Sequence, residues 1–155
     1  MTATQMDSVG TYPDIAGNVP EARRSLAALT RAAAALDHIT AELIKTRVSQ
    51  INGCAYCVDL HASALRTAGE NPRRIDALAV WHDSTLFTER ERAALTLAES
   101  LTLLPGGTPD PAVYAEAAHH WSAEEVALIV MTTVGINAWN RYMIATGAEV
   151  PPLSE

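Results

Sequence analysis

Cysteine is nearly absent from this 155-residue chain; the two present stand at positions 54 and 57. A framework of several disulfides is thereby excluded. Aromatic residues make up only 5%, with a single Phe. That argues against a β-sandwich core, which leans on aromatic and β-branched side chains. Basic residues are also few, 11 Lys and Arg against 18 Asp and Glu, for a formal net charge of −7. They form no cluster, so no nucleic-acid partner is expected. Long apolar runs are missing too. The longest, residues 126–136, is interrupted by Thr132, Thr133 and Gly135, and falls short of the ~20 residues that a membrane span needs. Residues 1–18 are polar, without the apolar region of a signal peptide. The expectation is a soluble cytoplasmic protein that binds neither membrane nor nucleic acid. No stretch alternates with period two, so strands are not expected.

What is present points to helices. Hydrophobic residues make up 48% of the chain, dominated by Ala and Leu, both strong helix formers. The length suits one domain with a real core. Gly10, Pro13, Gly17 and Pro20 mark residues 1–20 as an irregular arm. A helical domain is predicted over 21–147 and an irregular tail over 148–155. Leu26, Leu29, Ala33 and Leu36 give the first helix one apolar face. Asp37 caps a second helix with Ile39, Leu43, Ile44, Val48 and Ile51 as its apolar positions and Glu42 in its second turn. Asn52-Gly53 ends or bends it. Asn52 is the predicted cap of the next helix, which runs to Gly69. Asn71-Pro72 restarts the chain for a short helix to about Val80, and residues 81–84 form a connector. Thr88 with Glu91 and Ser122 with Glu125 have the spacing of capping boxes. Asp110-Pro111 opens a helix between them. The last helix is apolar around much of its circumference and closes at Gly147, which points to a homo-oligomer.

Chemistry concentrates in Cys54-Ala55-Tyr56-Cys57-Val58-Asp59-Leu60-His61. On one helix, at about 100° per residue, the two cysteines lie about 60° apart with His61 between them. Two thiols in C-x-x-C spacing can close a disulfide. A helix start at Asn52-Gly53 favours the thiolate, through unpaired N–H groups and the helix dipole. His61 can relay a proton. Two other readings of the pair stand beside a redox centre. One is a pair of buried structural cysteines. The other is a zinc site on Cys54, Cys57 and His61, for which Glu42 or His82 would have to supply the fourth ligand. His38, His119 and His120 are expected at the surface, and His82 either there or lining a pocket. No flavin or nicotinamide motif is present, so no cofactor is expected and electrons must come from a partner.

Residues 42–61, with Glu42, Cys54, Cys57 and His61 in a Glu-x11-Cys-x-x-Cys-x-x-x-His pattern, resemble the core of the alkylhydroperoxidase AhpD-like proteins of the carboxymuconolactone decarboxylase family. The similarity continues through Trp81-His82, residues 87–95 and residues 136–141, and spans about 12–147. The resemblance implies an all-α, AhpD-like helical fold and a peroxidase that reduces hydroperoxides. At the matching positions Cys57 is the peroxide-attacking thiol, Cys54 the resolving thiol, His61 the proton relay and Glu42 its carboxylate base. It also implies a dithiol reductant such as a lipoyl protein, and assembly as a trimer or hexamer. The characterised AhpD enzyme has a histidine between its cysteines, where this chain has Tyr56, and a phenol relays protons poorly at neutral pH. The decarboxylase branch lacks the cysteine pair, so lactone decarboxylation is not expected. A redox-sensing or scaffold oligomer without efficient turnover is the non-enzymatic alternative.

Overall fold

The computed structural model describes residues 12–104 and 106–152. Every regular element among them is helical, and together they form one all-α domain. Of the predicted arm, residues 1–11 lie outside the described residues. The remainder is less irregular than expected. Asp14 accepts a hydrogen bond from the Gly17 amide and starts a single turn, α1 (Ile15–Asn18). Helix α2 (Pro20–Ala32) follows, one residue ahead of the predicted start, because Pro at the first helical position needs no N–H partner. Leu26 and Leu29 are half-buried on its inner face. Ala33 and Leu36 are buried as predicted, but in the turn beyond the helix end.

Helix α3 (His38–Asn52) is the axis of the molecule. Asp37 caps it by accepting from the Thr40 amide at 2.9 Å. It packs against α4 (Ala55–Thr67), α6 (Glu89–Leu103) and α8 (Ala123–Ala145). A helix covered on several sides buries more than a stripe. Ile44 and Val48 face one apolar cluster with Leu97, Ala98, Ile129 and Ile136. Leu43 faces a second, with Leu65, Leu78, Trp81 and Leu95. Each fully buried Leu or Ile contributes about 1.5–3 kcal/mol relative to exposure. The polar residues that α3 buries are satisfied. Thr46 and Ser49 donate to the carbonyls of Glu42 and Lys45, at 2.8 and 2.7 Å.

The turn after α3 determines where the cysteines go. Gly53 takes φ 70°, a left-handed conformation that a side chain disfavours. Its amide donates to Gln50 O at 3.3 Å, and that of Cys54 to Ser49 O at 3.0 Å. This is a Schellman motif, and it reverses the chain within two residues. Four other predicted caps hold. Asn71 starts α5 (Pro72–Ala77) and Asp110 starts α7 (Pro111–His120). Thr88 and Ser122 form complete capping boxes on α6 and α8. The predicted connector at 81–84 is mostly ordered, as a 3₁₀ segment (Leu78–Asp83) that buries Trp81. Helix α2 is fastened to α8 by Trp139 Nε1, which donates to Thr30 Oγ1 at 2.8 Å. Among the described residues no helix is long and apolar enough to cross a membrane.

Candidate functional site: a cysteine pair at a helix start

Cys54 and Cys57 are joined by a disulfide, with their Cα atoms 5.3 Å apart. Placing both on one helix was wrong for Cys54. Its backbone is extended (φ −86°, ψ 92°), and it stands outside α4 as the capping residue, the role predicted for Asn52. The Schellman turn leaves no room for a longer connection, so the first residue after Gly53 must cap. Cys54 Sγ accepts from the Cys57 amide at 3.3 Å. Cys57 is the third residue of α4, inside its first turn. The Cys54 sulfur therefore sits at the unpaired N–H groups of a 13-residue helix, and Cys57 belongs to the same first turn, where negative charge is stabilised. Asn52 instead closes α3 and ties it to α8. Its side-chain amide donates to Asn137 Oδ1 at 3.0 Å and Asn140 Oδ1 at 2.9 Å.

His61 lies one turn beyond Cys57 on α4. Its Nδ1 is 2.7 Å from Glu42 Oε2. Helical phase across the turn gave no such contact; the chain reversal at Gly53 lays α4 back along α3 and creates it. Glu42 is 5% exposed, far from the solvated residue that its composition suggests. Its Oε1 accepts from Lys45 Nζ at 2.8 Å. Burial pushes the Glu42 carboxyl up. Hydrogen bonds from His61 and Lys45, and their positive charge, outweigh it and hold the group at about 2. At neutral pH Glu42 is thus a carboxylate. It accepts from Nδ1–H, which leaves Nε2 as the ring nitrogen free to exchange a proton.

Cys57, His61 and Tyr56 line a cavity of about 580 Å³ between α2, α3, α4 and α8. Cys54 is not among its lining residues. His38, expected at the surface, also lines the cavity, and so does Lys45. Sequence spacing carried no signal for either, since both reach the space only because α2 folds over α3. His82 lies apart from this site, stacked on Trp81 with ring centres 3.7 Å apart and bonded to Glu99 at 2.9 Å. His119 and His120 are surface residues of α7 near Glu116. Among the described residues no group of three or more His, Cys, Asp and Glu is arranged to hold a metal ion. Both sulfurs of the zinc reading are bonded to each other.

A model of the carboxymuconolactone decarboxylase family matches residues 14–100, more than half of the chain. The chain belongs to that family. Within it, YdfG of Bacillus subtilis, an uncharacterised protein, is 40% identical over 112 residues, covering 72% of this chain and 76% of YdfG. A solved structure from Agrobacterium tumefaciens, a protein of unknown function described as a putative antioxidant defence protein AhpD, superposes with a TM-score of 0.87. It is 32% identical and the match covers 93% of this chain and all of that one. An uncharacterised peroxidase-related protein from Ralstonia eutropha, described as an alkylhydroperoxidase AhpD core, shares the fold. It has a TM-score of 0.77 at 23% identity, over 88% of this chain and 74% of that one. The carboxymuconolactone decarboxylase fold of this chain is thus the AhpD-like one, and it carries a cysteine pair capable of thiol–disulfide redox chemistry.

Proposed function

We propose that the protein is a thiol peroxidase that reduces hydroperoxides through a Cys54–Cys57 dithiol–disulfide cycle. The observation that carries the reading is the asymmetry of the pair. Cys57 faces the cavity together with His61, while Cys54 caps the helix behind it. In the reduced protein the Cys57 thiolate attacks the distal peroxide oxygen. An S–O bond forms, the O–O bond breaks, and the departing alkoxide takes a proton and leaves as an alcohol. Cys57 is then a sulfenic acid. The Cys54 thiol attacks that sulfur, the S–S bond forms, the S–O bond breaks, and water leaves. A dithiol partner, a lipoyl-bearing protein by family analogy, restores both thiols by exchange.

His61 takes up and returns protons through Nε2. Glu42, ionised down to about 2, is a weak base. Its contribution is to fix the imidazole and its tautomer rather than to hold the proton. The N–H groups at the start of α4 favour the thiolate. The reading includes a cytoplasmic setting, where a reductant keeps thiols reduced. It also includes a homo-oligomer, a trimer or hexamer, for which Met131 and Val134 on α8 present exposed apolar surface.

Steady-state turnover of cumene hydroperoxide with dihydrolipoamide as electron donor tests the proposal. The wild-type protein is expected to consume peroxide catalytically, and Cys57→Ser to reduce consumption to background. Cys54→Ser is expected to stop after one event, leaving a sulfenic acid on Cys57 that dimedone labels. Turnover that survives Cys57→Ser would overturn the assignment.

A further inference from the structure

The cavity is larger than peroxide chemistry alone requires. At about 580 Å³ it falls within the range of pockets for drug-sized ligands, roughly 300–1,000 Å³. A molecule the size of hydrogen peroxide, close to water's share of about 30 Å³, would leave most of it empty. Much of its lining is apolar. Leu36 and Ile136 are buried there, and Met131, Trp139 and Met143 extend the same surface along α8.

Charge around the cavity is one-sided. Arg23 and Arg31 of α2 and Lys45 and His38 of α3 line it, together with His61. Three of the chain's 11 Lys and Arg residues therefore gather on this one space, and among the described residues no Asp or Glu lines it. On a chain of net charge −7 such a distribution runs against the average. Lys45 is committed to Glu42. Arg23 and Arg31 make no ion pair among the described residues, and both are exposed, as is His38. Asp37, next to His38, is occupied in capping α3. The cavity thus combines a buried Cys57, an apolar lining and two exposed arginines with no ion pair among the described residues.

We propose that this cavity selects amphipathic anions: hydroperoxides with an aliphatic body and a carboxylate headgroup. The body lies along α8 and the carboxylate meets Arg23 and Arg31. The apolar lining takes the aliphatic body, and Arg23 and Arg31, about two turns apart on α2, offer the carboxylate charge-assisted hydrogen bonds. The inference deepens the peroxidase reading and rests on it. The reaction on such a substrate is the one already balanced above, with a hydroxy acid as the reduced product.

Two measurements test it. In the peroxidase assay, linoleic acid hydroperoxide is compared with its methyl ester, below the concentrations at which either forms micelles. The acid is expected to have a kcat/KM several-fold and up to about tenfold above the ester, the combined effect of two ion pairs at exposed positions. The ratio is expected to approach one in the Arg23→Ala/Arg31→Ala double variant and to remain in Arg73→Ala, an exposed arginine away from the cavity. Equal kcat/KM for acid and ester in the wild type, or a ratio that persists in the double variant, would overturn the proposal. The second measurement needs no turnover. Octanoate and octanol are titrated into the disulfide form by calorimetry. Tighter binding of octanoate that the double variant loses supports the anion site; equal binding overturns it. If no hydroperoxide is consumed with any dithiol, the peroxidase reading fails, and the octanoate titration still decides the cavity's preference.

Discussion

Glu42 on α3 and Glu99 on α6 keep nearly the same company. Each is largely buried, with side chains 7% and 13% exposed. Each accepts from a cation, Lys45 for Glu42 and Arg47 for Glu99, and each bonds a histidine, His61 at 2.7 Å and His82 at 2.9 Å. In both, burial pushes the carboxyl up while the surrounding donors hold it below its ordinary value. The difference lies one residue further out. His61 is one turn from Cys57 and opens on the cavity. His82 is stacked on Trp81, whose Nε1 donates to the same Glu99 carboxylate at 2.8 Å. Around Glu99 the donors knit the 3₁₀ segment to α3 and α6, and every strong partner is spent on structure. Around Glu42 one ring nitrogen is left over, on a residue that lines the cavity together with Cys57. A carboxylate–histidine pair is thus not a site by itself; what the second nitrogen faces decides it.

The sharpest way to break this contrast is to neutralise each carboxylate without changing its size. Glu42→Gln leaves His61 without its fixed tautomer, and peroxide turnover is expected to fall about 10- to 100-fold. Glu99→Gln is expected to change kcat/KM by less than about threefold while lowering stability by about 1–3 kcal/mol, since it weakens charge-assisted bonds at a largely buried place. Turnover with dihydrolipoamide, paired with urea unfolding, separates the two effects. If both variants lost activity equally, the distinction drawn between the two carboxylates would be wrong.

Acid sharpens the same comparison. A carboxyl held lower in the folded than in the unfolded chain stabilises the fold above its unfolded value, and that stability is lost as pH falls through the folded value. For Glu42 the window runs from 4.5 down to about 2. The difference corresponds to about 3 kcal/mol at most, because one unit is worth about 1.4 kcal/mol. Glu99 is shifted in the same direction and adds to the same acid limb. Urea midpoints measured between pH 5 and pH 2 are expected to fall steeply for the wild type and less steeply for Glu42→Gln. An unchanged slope in the variant would show that Glu42 is not held low.

The contrast also marks where sequence reading stops. Caps are local, and Thr88, Asp110 and Ser122 were legible because the cap and the amide it bonds lie within three residues. The cysteine motif was legible for the same reason, although its geometry was not. A left-handed glycine moved Cys54 out of the helix, and periodicity holds no information about that. The Glu42–His61 pair spans 19 residues and depends on the angle between two helices. Resemblance to the family named Glu42; spacing did not. The Glu99 network went unnoticed, since Arg47, Trp81 and Glu99 meet only after three elements have packed. His38 escaped because the cavity it lines exists only once α2 has closed over α3.

The smallest expected effect belongs to the histidine that is not at the cavity. His82 is 56% exposed, so its bond to Glu99 competes with water. Removing it leaves Arg47 and Trp81 on the same carboxylate. His82→Ala is therefore expected to cost no more than about 1 kcal/mol in urea unfolding and to leave turnover unchanged. His61→Ala, a change of equal size on the parallel pair, is expected to cost more stability, about 1–3 kcal/mol, because its partner Glu42 is nearly buried, and to remove most activity, as loss of a positioned proton donor costs roughly 10²- to 10⁴-fold. The two substitutions delete the same ring from the same kind of carboxylate. A large loss of turnover in His82→Ala would mean that the 3₁₀ segment is coupled to the cysteine site through α3, and the two carboxylates would then have to be read as one network.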